Sequence, residues 1–322
     1  MREPGALRAV VWMERYQVSL YLAALALGAT TGLILPEAAS ALEPAINPIL
    51  VALLYATFLG IPLTRLRAAL TGTRFVAALL VVNFILAPLV VAVLSRQVAD
   101  SPALLVGLLL VLLAPCVDYV MVFTRIAGGA WERILAASPV LMLAQTLLLP
   151  VWLVVLAGPG VASVSRRPFA AAFVLMIALP MGLSILTRRA APRVRSANRL
   201  ASAATAFMVP LMMATLLLVV ASQVPHVASR PDVVARVVPL FVTFALVMPA
   251  VGDIAGRMAH QGRQERLALA FSGTTRNSLV VLPLALAPPD SMGMAPIVVV
   301  TQTLVELVVM AIGVRLLPRL IR

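Results

Sequence analysis

A single cysteine, Cys116, lies in a long apolar run directly after a proline and two residues before an acid, Asp118. A proline inside a helix removes one hydrogen bond and clashes with the preceding turn, so Pro115 predicts a break at this point. A lone thiol cannot form a closed cysteine-rich metal site, but it can make one reversible bond to a soft, thiophilic solute. The alternative interpretation is a small buried cysteine that only packs.

A second polar interruption lies in an apolar run of the second half of the chain. It consists of six successive residues, Ser272, Gly273, Thr274, Thr275, Arg276 and Asn277. Such a segment cannot face lipid and is tolerated only where the backbone lines a polar cavity. Two interpretations of the buried charges stay open: an ion pair between Asp118 and Arg276 that joins the two breaks, or direct contact of either residue with a substrate or ion.

Glu306 lies in another apolar run, without a cationic residue close to it in sequence. A desolvated carboxylate can bind and release protons, which makes Glu306 a candidate coupling site; a carboxyl that stays protonated and hydrogen-bonded between helices is the alternative. Gln145 and Gln302 are polar residues in two further apolar runs. We expect them either to form hydrogen bonds between helices or to act in the site.

The composition indicates which elements must position these residues. Of the 322 residues, 62% are hydrophobic and 11% are charged, and the formal net charge is +13. Soluble domains average roughly 45–50% apolar and about 25% charged residues. This composition excludes a soluble enzyme, a disordered tail and a secreted disulfide scaffold, and it argues against a nucleic-acid partner for the arginines. We predict a polytopic membrane protein in the lipid bilayer, with no enzymatic activity, cofactor or metal.

Ten stretches are apolar enough to cross a bilayer as helices, which takes roughly 20 residues each. They are residues 16–35, 46–63, 75–94, 103–124, 134–157, 169–187, 200–221, 233–254, 266–286 and 294–314. With both chain ends and alternate loops on one side, 19 of the 25 arginines lie on that side and 5 on the other. The positive-inside rule then predicts that both termini lie in the cytoplasm. The connections between the stretches are short, which predicts a single domain, residues 1–322, in the cell's cytoplasmic membrane.

The two halves of the chain resemble each other at an offset of about 157 residues. LMLAQTLLLPVWL in the fifth predicted span aligns with VVVTQTLVELVVM in the tenth, which pairs Gln145 with Gln302. Because five spans is an odd number, the second repeat, residues 169–318, would be inverted relative to the first, residues 16–157. Inverted repeats with paired helix breaks are typical of secondary transporters. The pattern favours a transporter over a channel or a membrane enzyme.

On these residues the chain resembles the arsenite permeases of the bile-acid/arsenite/riboflavin transporter superfamily, over all ten predicted spans. The resemblance is carried by APCVDYVMVFTRIAGG, with a cysteine after the break, by LVELVVM, with a glutamate, and by Asn277 in the ninth span. Asp118 stands where the permeases have a small or apolar residue. Thr275-Arg276-Asn277 stands where they have a Ser-Asn-Asn-like run, which indicates a divergent branch.

The resemblance implies an all-α fold like that of the sodium/bile acid symporters. Spans 1, 2, 6 and 7 would form a panel, and spans 3–5 and 8–10 a core in which the broken helices 4 and 9 cross. It also implies efflux of arsenite, with antimonite as a second candidate, by proton antiport that confers arsenic resistance. Cys116 would bind the arsenic, Asn277 or Thr274 would hydrogen-bond its hydroxyls, and Glu306, with Asp118, would exchange the proton.

The main alternative in the same superfamily is a sodium-coupled importer of an organic anion. Arg276 would then face a carboxylate or sulfonate, and Asp118, Gln302 and Glu306 would help to coordinate sodium. The family's sodium carriers show a Glu-Thr-Gly-x-Gln-Asn-like motif in the ninth span. SGTTRN keeps the Thr and Asn of that motif and lacks its Glu and Gln. Efflux that does not depend on sodium would distinguish the two functions.

Overall fold

The structure is a computed structural model that describes residues 12–13, 16–60, 73–116, 120–161, 174–286 and 293–321. The described helices of the first half are α1 (Gln17–Ile34), α2 (Pro36–Ser40), α3 (Glu43–Gly60), α4 (Thr73–Val98), α5 (Pro102–Leu112), α6 (Val120–Ile126) and α7 (Trp131–Val161). Those of the second half are the π-helical segment Val174–Ala178 followed by α8 (Leu179–Ala190), α9 (Arg195–Ala206), α10 (Met208–Ser229), α11 (Pro231–Met258), α12 (Arg263–Thr274), α13 (Ser278–Leu286) and α14 (Ala295–Leu320).

Among the described residues, six helices are long and apolar enough to cross a membrane: α3, α4, α7, α10, α11 and α14. Two further apolar helices, Ser19–Ile34 and Pro102–Leu112, are shorter. Helix α7 leaves large apolar side chains exposed, such as Leu147 at 71% and Val154 at 78%. Exposed apolar surface of this extent is suited to lipid. These features are those of a polytopic membrane protein, and the count of ten spans stays a prediction.

The seventh predicted span, residues 200–221, is placed wrongly. Residues up to Ala206 belong to the separate helix α9, and the span-length helix begins only at Met208 and continues to Ser229. Helix α9 buries no side chain. Its alanine, serine and threonine side chains carry little apolar surface, so burial does not favour a place for them inside a bundle.

The chain forms two compact units, and each combines helices from both halves of the sequence. The first unit comprises Met1–Ile61 and Ala172–Ser229, and the second comprises Pro62–Ala171 and Arg230–Arg322. Within the first unit, α1 packs along α10 so closely that a Cβ on Gly32 would overlap the Ala221 carbonyl oxygen. Such close approach at small residues is typical of helices packed in membranes. All the candidate site residues belong to the second unit.

Ion pairs fix the first turn of α12 to its neighbours within the second unit. Asp253 of α11 binds Arg266 at 2.6 Å and Arg257 at 2.9 Å. Glu265 binds Arg133 of α7 at 3.1 Å. Asp253 and Arg266 are largely buried, so each charge is compensated by the other where water is scarce. These contacts hold α12 in place at the end opposite to the second helix break.

Candidate functional site

The first helix break follows α5, in the segment where the sequence predicts an interruption. Helix α5 ends at Leu112 and the next helix, α6, begins at Val120. Pro115 has no N–H to donate to a helix and lies outside the helices, in an isolated β-bridge. The residue after it, Cys116, is fully buried. The break therefore places the lone cysteine in non-helical backbone inside the second unit.

The second break separates α12 from α13. The backbone of Thr275 is extended, with φ −78° and ψ 137°, and helix resumes at Ser278. The end of α12 is tightly packed, since a Cβ on Gly273 would lie 2.8 Å from Cγ1 of Val82. Only glycine fits at this position unless Val82 shifts. The polar segment that the sequence singles out is thus buried and interrupts the helix.

The two breaks pair with each other through their main chains. Pro115 and Arg276 lie opposite each other in a short antiparallel bridge. The N–H of Asn277 donates to the carbonyl of Ala114 at 2.8 Å, and the N–H of Cys116 donates to the carbonyl of Thr275 at 3.2 Å. Backbone groups that the breaks free from helices are thereby hydrogen-bonded, as burial away from water demands. The bridge brings the cysteine beside the polar segment of the other break.

Arg276 is the largest fully buried side chain among the described residues. Its guanidinium carbon lies 4.9 Å from the centroid of the Phe244 ring, within the range of a cation–π interaction. Nη2 of the guanidinium donates to the carbonyl of Gly273 in the last turn of α12. A positive group is favoured at this point because the helix dipole is negative at its C-terminal end.

Glu306 faces the second break from α14 and is 4% exposed. Its Oε2 accepts a hydrogen bond of 2.9 Å from the main-chain N–H of Arg276. Nε2 of Gln302, one turn earlier on α14, donates to the same oxygen. The carboxyl is therefore held against the main chain of the break, a partner that no sequence pattern indicates.

Asn277 and Thr274 provide further polar groups at the break. Among the described residues, Nδ2 of Asn277 has no hydrogen-bond partner, whereas Oδ1 accepts from the N–H of Val280 at 3.3 Å. The Thr274 hydroxyl donates to the carbonyl of Ala270 at 2.8 Å and can still accept a hydrogen bond. Both side chains are buried. The Asn277 amide is thus free to donate to a solute.

A small pocket of about 10 Å³ opens beside these groups, at the lower limit for holding one water molecule. It is lined by Leu112, Phe241, Phe244, Ala245, Thr274, Gln302, Val305 and Glu306. The lining combines apolar side chains with a few polar groups, as small-molecule sites generally do. In this conformation the pocket has no room for a solute larger than water.

Two predicted site residues are not joined to this group by the described contacts. Asp118 lies outside the described residues, so its predicted pairing with Arg276 stays a prediction. Gln145 is buried on α7, and its Oε1 has no hydrogen-bond partner among the described residues.

Asn83 contacts the polar segment of the second break and is a further candidate site residue, one that sequence reasoning missed. It lies in a π-helical turn of α4, Val82–Leu86, and its Nδ2 donates to Oγ of Ser272 and to the carbonyl of Leu79, each at 3.0 Å. Single π turns inside α-helices are frequent at functional sites. The sequence feature that could have identified it is a lone asparagine in the apolar run VVNFIL.

The contact between Phe244 and the guanidinium predicts a specific loss of stability. We expect Phe244→Leu to lower the free energy of unfolding by about 0.5–2 kcal/mol more than Phe241→Leu, because only the first variant loses a cation–π contact. Both rings are buried on α11, one turn apart, so the two changes remove similar apolar surface. Unfolding midpoints in detergent would measure the difference, and equal losses would contradict the role of the ring.

Comparison with protein families matches residues 47–230 to the sodium bile acid symporter family. The matched region is more than half of the chain and includes the first break with Cys116. It ends just before α11, so Arg276 and Glu306 lie outside it. No curated protein matches the chain.

Proposed function

Because the chain belongs to the sodium bile acid symporter family, a family of membrane transporters, we propose that it is a secondary transporter that extrudes arsenite. Antimonite, which has similar chemistry, is a second candidate substrate. Proton antiport across the cytoplasmic membrane would drive the efflux and confer arsenic resistance on the cell. Both chain termini would lie in the cytoplasm, as the distribution of arginines favours.

One observation carries the proposal: Cys116 and Glu306 bind adjacent residues of the same broken segment. The N–H of Cys116 donates to the carbonyl of Thr275, and Glu306 accepts from the N–H of Arg276. The main chain of the cysteine, in the first break, and the carboxyl of Glu306, on α14, thus contact the same stretch of non-helical backbone. Discontinuous helices of this kind form the binding sites of many secondary transporters.

The chemistry of arsenite fits these groups. At neutral pH arsenite is mostly the uncharged trihydroxide, and its arsenic is a soft centre that bonds to sulfur. The Cys116 sulfur would replace one hydroxyl of the solute, and that hydroxyl would leave with the thiol proton as water. The Asn277 amide would donate a hydrogen bond to a remaining hydroxyl, and Thr274 would accept one. Hydrolysis reverses the single bond, as release from a transporter requires.

Glu306 would couple this cycle to protons. It is buried and hydrogen-bonded, so a change in its protonation changes the charge inside the second unit. The division of the chain into two compact units supports a panel of spans 1, 2, 6 and 7 and a core of the other six. Alternating access would then follow from the two inverted repeats, residues 16–157 and 169–318.

A sodium-coupled symporter of an organic anion is the second candidate. Two observations favour this candidate. The matched family is named for sodium and bile acid symport, and the buried side chain of Arg276 carries a guanidinium, a group that binds carboxylates. Sodium dependence separates this candidate from the first.

Arsenite uptake into everted membrane vesicles tests the proposal. We expect a pH gradient, acidic inside, to drive uptake in sodium-free medium, because everted vesicles accumulate what the cell expels. A protonophore should abolish the uptake, and vesicles without the protein should show none. Uptake that requires a sodium gradient, or no arsenite uptake above the control, would contradict proton-coupled arsenite efflux.

A further inference from the structure

We propose that the Arg276 guanidinium is a tethered cation that fills the place of a coupling sodium ion, so that sodium does not bind at this site. The inference deepens the proposed function and rests on it for assigning the site to transport. It identifies Arg276 as the residue that determines ion specificity.

The first argument is the charge balance. Among the buried side chains of the described residues, Arg276 and Glu306 are the two that carry formal charge. A metal cation bound beside them would bring a further positive charge into an interior where an uncompensated charge is costly. Asp118 lies outside the described residues, but the direction of the effect does not depend on it. Removal of the guanidinium lowers the net charge of this interior by one unit, whatever the charge of Asp118.

The second argument is the ligand that the guanidinium binds. Carbonyls at the C-terminal ends of half-helices, together with unwound backbone, are the groups that coordinate sodium in many transporters with broken helices. The Gly273 carbonyl in the last turn of α12 is such a group, and Nη2 of Arg276 donates to it. A side chain of the protein therefore already uses a carbonyl of the kind that a sodium ion would need.

The third argument is space. The Phe244 ring covers the guanidinium at 4.9 Å and offers a π face instead of an oxygen ligand. The neighbouring pocket, which Phe244 and Glu306 line, has room for about one water molecule. A hard cation needs several oxygen ligands around it, and five of the eight side chains that line this pocket are apolar, so the pocket beside the guanidinium offers few such ligands.

The fourth argument is what remains when the guanidinium is removed. The Glu306 carboxylate, the Gly273 carbonyl and the Gln302 amide oxygen are hard oxygen donors. Gln302 Oε1 has no hydrogen-bond partner among the described residues. Arg276→Gln keeps the main-chain N–H that binds Glu306 and adds one more amide oxygen. This variant is expected to acquire a sodium site that the wild-type protein lacks.

The experiment measures the unfolding temperature of the purified full-length protein in lipid nanodiscs, in sodium chloride and in choline chloride of equal ionic strength. We expect no difference between the two salts for the wild type. For Arg276→Gln we expect sodium to raise the unfolding temperature by roughly 2–4 °C, because a ligand that binds only the folded state stabilises it. The double variant Arg276→Gln/Glu306→Gln should lose this rise, since it lacks the carboxylate.

Two matched variants distinguish the effect of a positive charge at position 276 from the effect of the overall net charge. Arg276→Lys keeps a cation at the site and should not respond to sodium. Arg236→Gln removes a guanidinium from an exposed pair with Asp100, changes the net charge by the same amount, and should not respond either. An equal sodium response in Arg236→Gln would attribute the effect to overall charge and overturn the proposal.

The wild type alone keeps the proposal testable if Arg276→Gln does not fold. A sodium-specific rise in the wild-type unfolding temperature overturns it, as does a folded Arg276→Gln variant without any rise. These measurements contain no transported solute. Failure of the arsenite assay would therefore contradict the proposed substrate. The unfolding temperatures would still decide whether Arg276 excludes sodium.

Discussion

Cys116→Ser is expected to reduce arsenite uptake into everted vesicles by at least about tenfold, which corresponds to about 1.4 kcal/mol. A serine hydroxyl is neither soft nor acidic enough to replace a hydroxyl on arsenic, whereas the thiol is. The two side chains are similar in size, so the packing around this fully buried position should change little. Because Cys116 is the single cysteine of the chain, a maleimide reagent added during transport, when alternating access opens the site, should inhibit the wild type and not the variant.

Two controls accompany this prediction. Ser138→Ala also alters one atom of a buried side chain in the second unit, outside both breaks, and should transport normally. Cys116→Ala shows whether a buried serine hydroxyl, rather than the missing sulfur, causes the loss. Undiminished uptake by folded Cys116→Ser would remove the basis for a thiol-bound substrate.

Glu306→Gln is expected to abolish the acceleration of arsenite uptake by a pH gradient. Glutamine keeps an oxygen that can accept the 2.9 Å hydrogen bond from the Arg276 N–H, so the geometry of the break should persist. It has no proton to exchange, and a proton relay through this position is then lost. Uptake rates with and without the gradient should become equal, at or below the rate that the wild type shows without it.

Glu132→Gln is the matched control for this variant. It also removes one carboxylate from the second unit, but from an exposed position in the first turn of α7. Its uptake should respond to the gradient as the wild type does. A full response in Glu306→Gln would show that another group carries the proton.

The positions of both helix breaks could be predicted from the sequence because their causes are local. Pro115 and the polar run around Arg276 disrupt an apolar helix wherever they occur. The pairing of the breaks could not be predicted, because the hydrogen bonds from Asn277 to Ala114 and from Cys116 to Thr275 join segments that are far apart in the chain. Sequence periodicity reports which face of an element is apolar, not which distant backbone lies against it.

The environment of the charged residues was predicted only in part. Glu306 has no cationic neighbour in sequence, and its partner at the break is a main-chain N–H, a group that every residue except proline carries. The role of Phe244 depends on the position of a guanidinium on another helix. The start of α10 was misplaced because alanine counts as apolar in a hydropathy window although it buries little surface.

The bridge between the breaks also determines when this protein can finish folding during its synthesis. The Ala114 carbonyl and the Cys116 N–H bind Asn277 and Thr275, which the ribosome adds long after the first break has entered the membrane. Until then these main-chain groups have no partner in the native arrangement, at a cost on the order of several kcal/mol each in lipid. The first half of the chain therefore cannot form these two hydrogen bonds by itself, and they become possible only when the segment between α12 and α13 has been made.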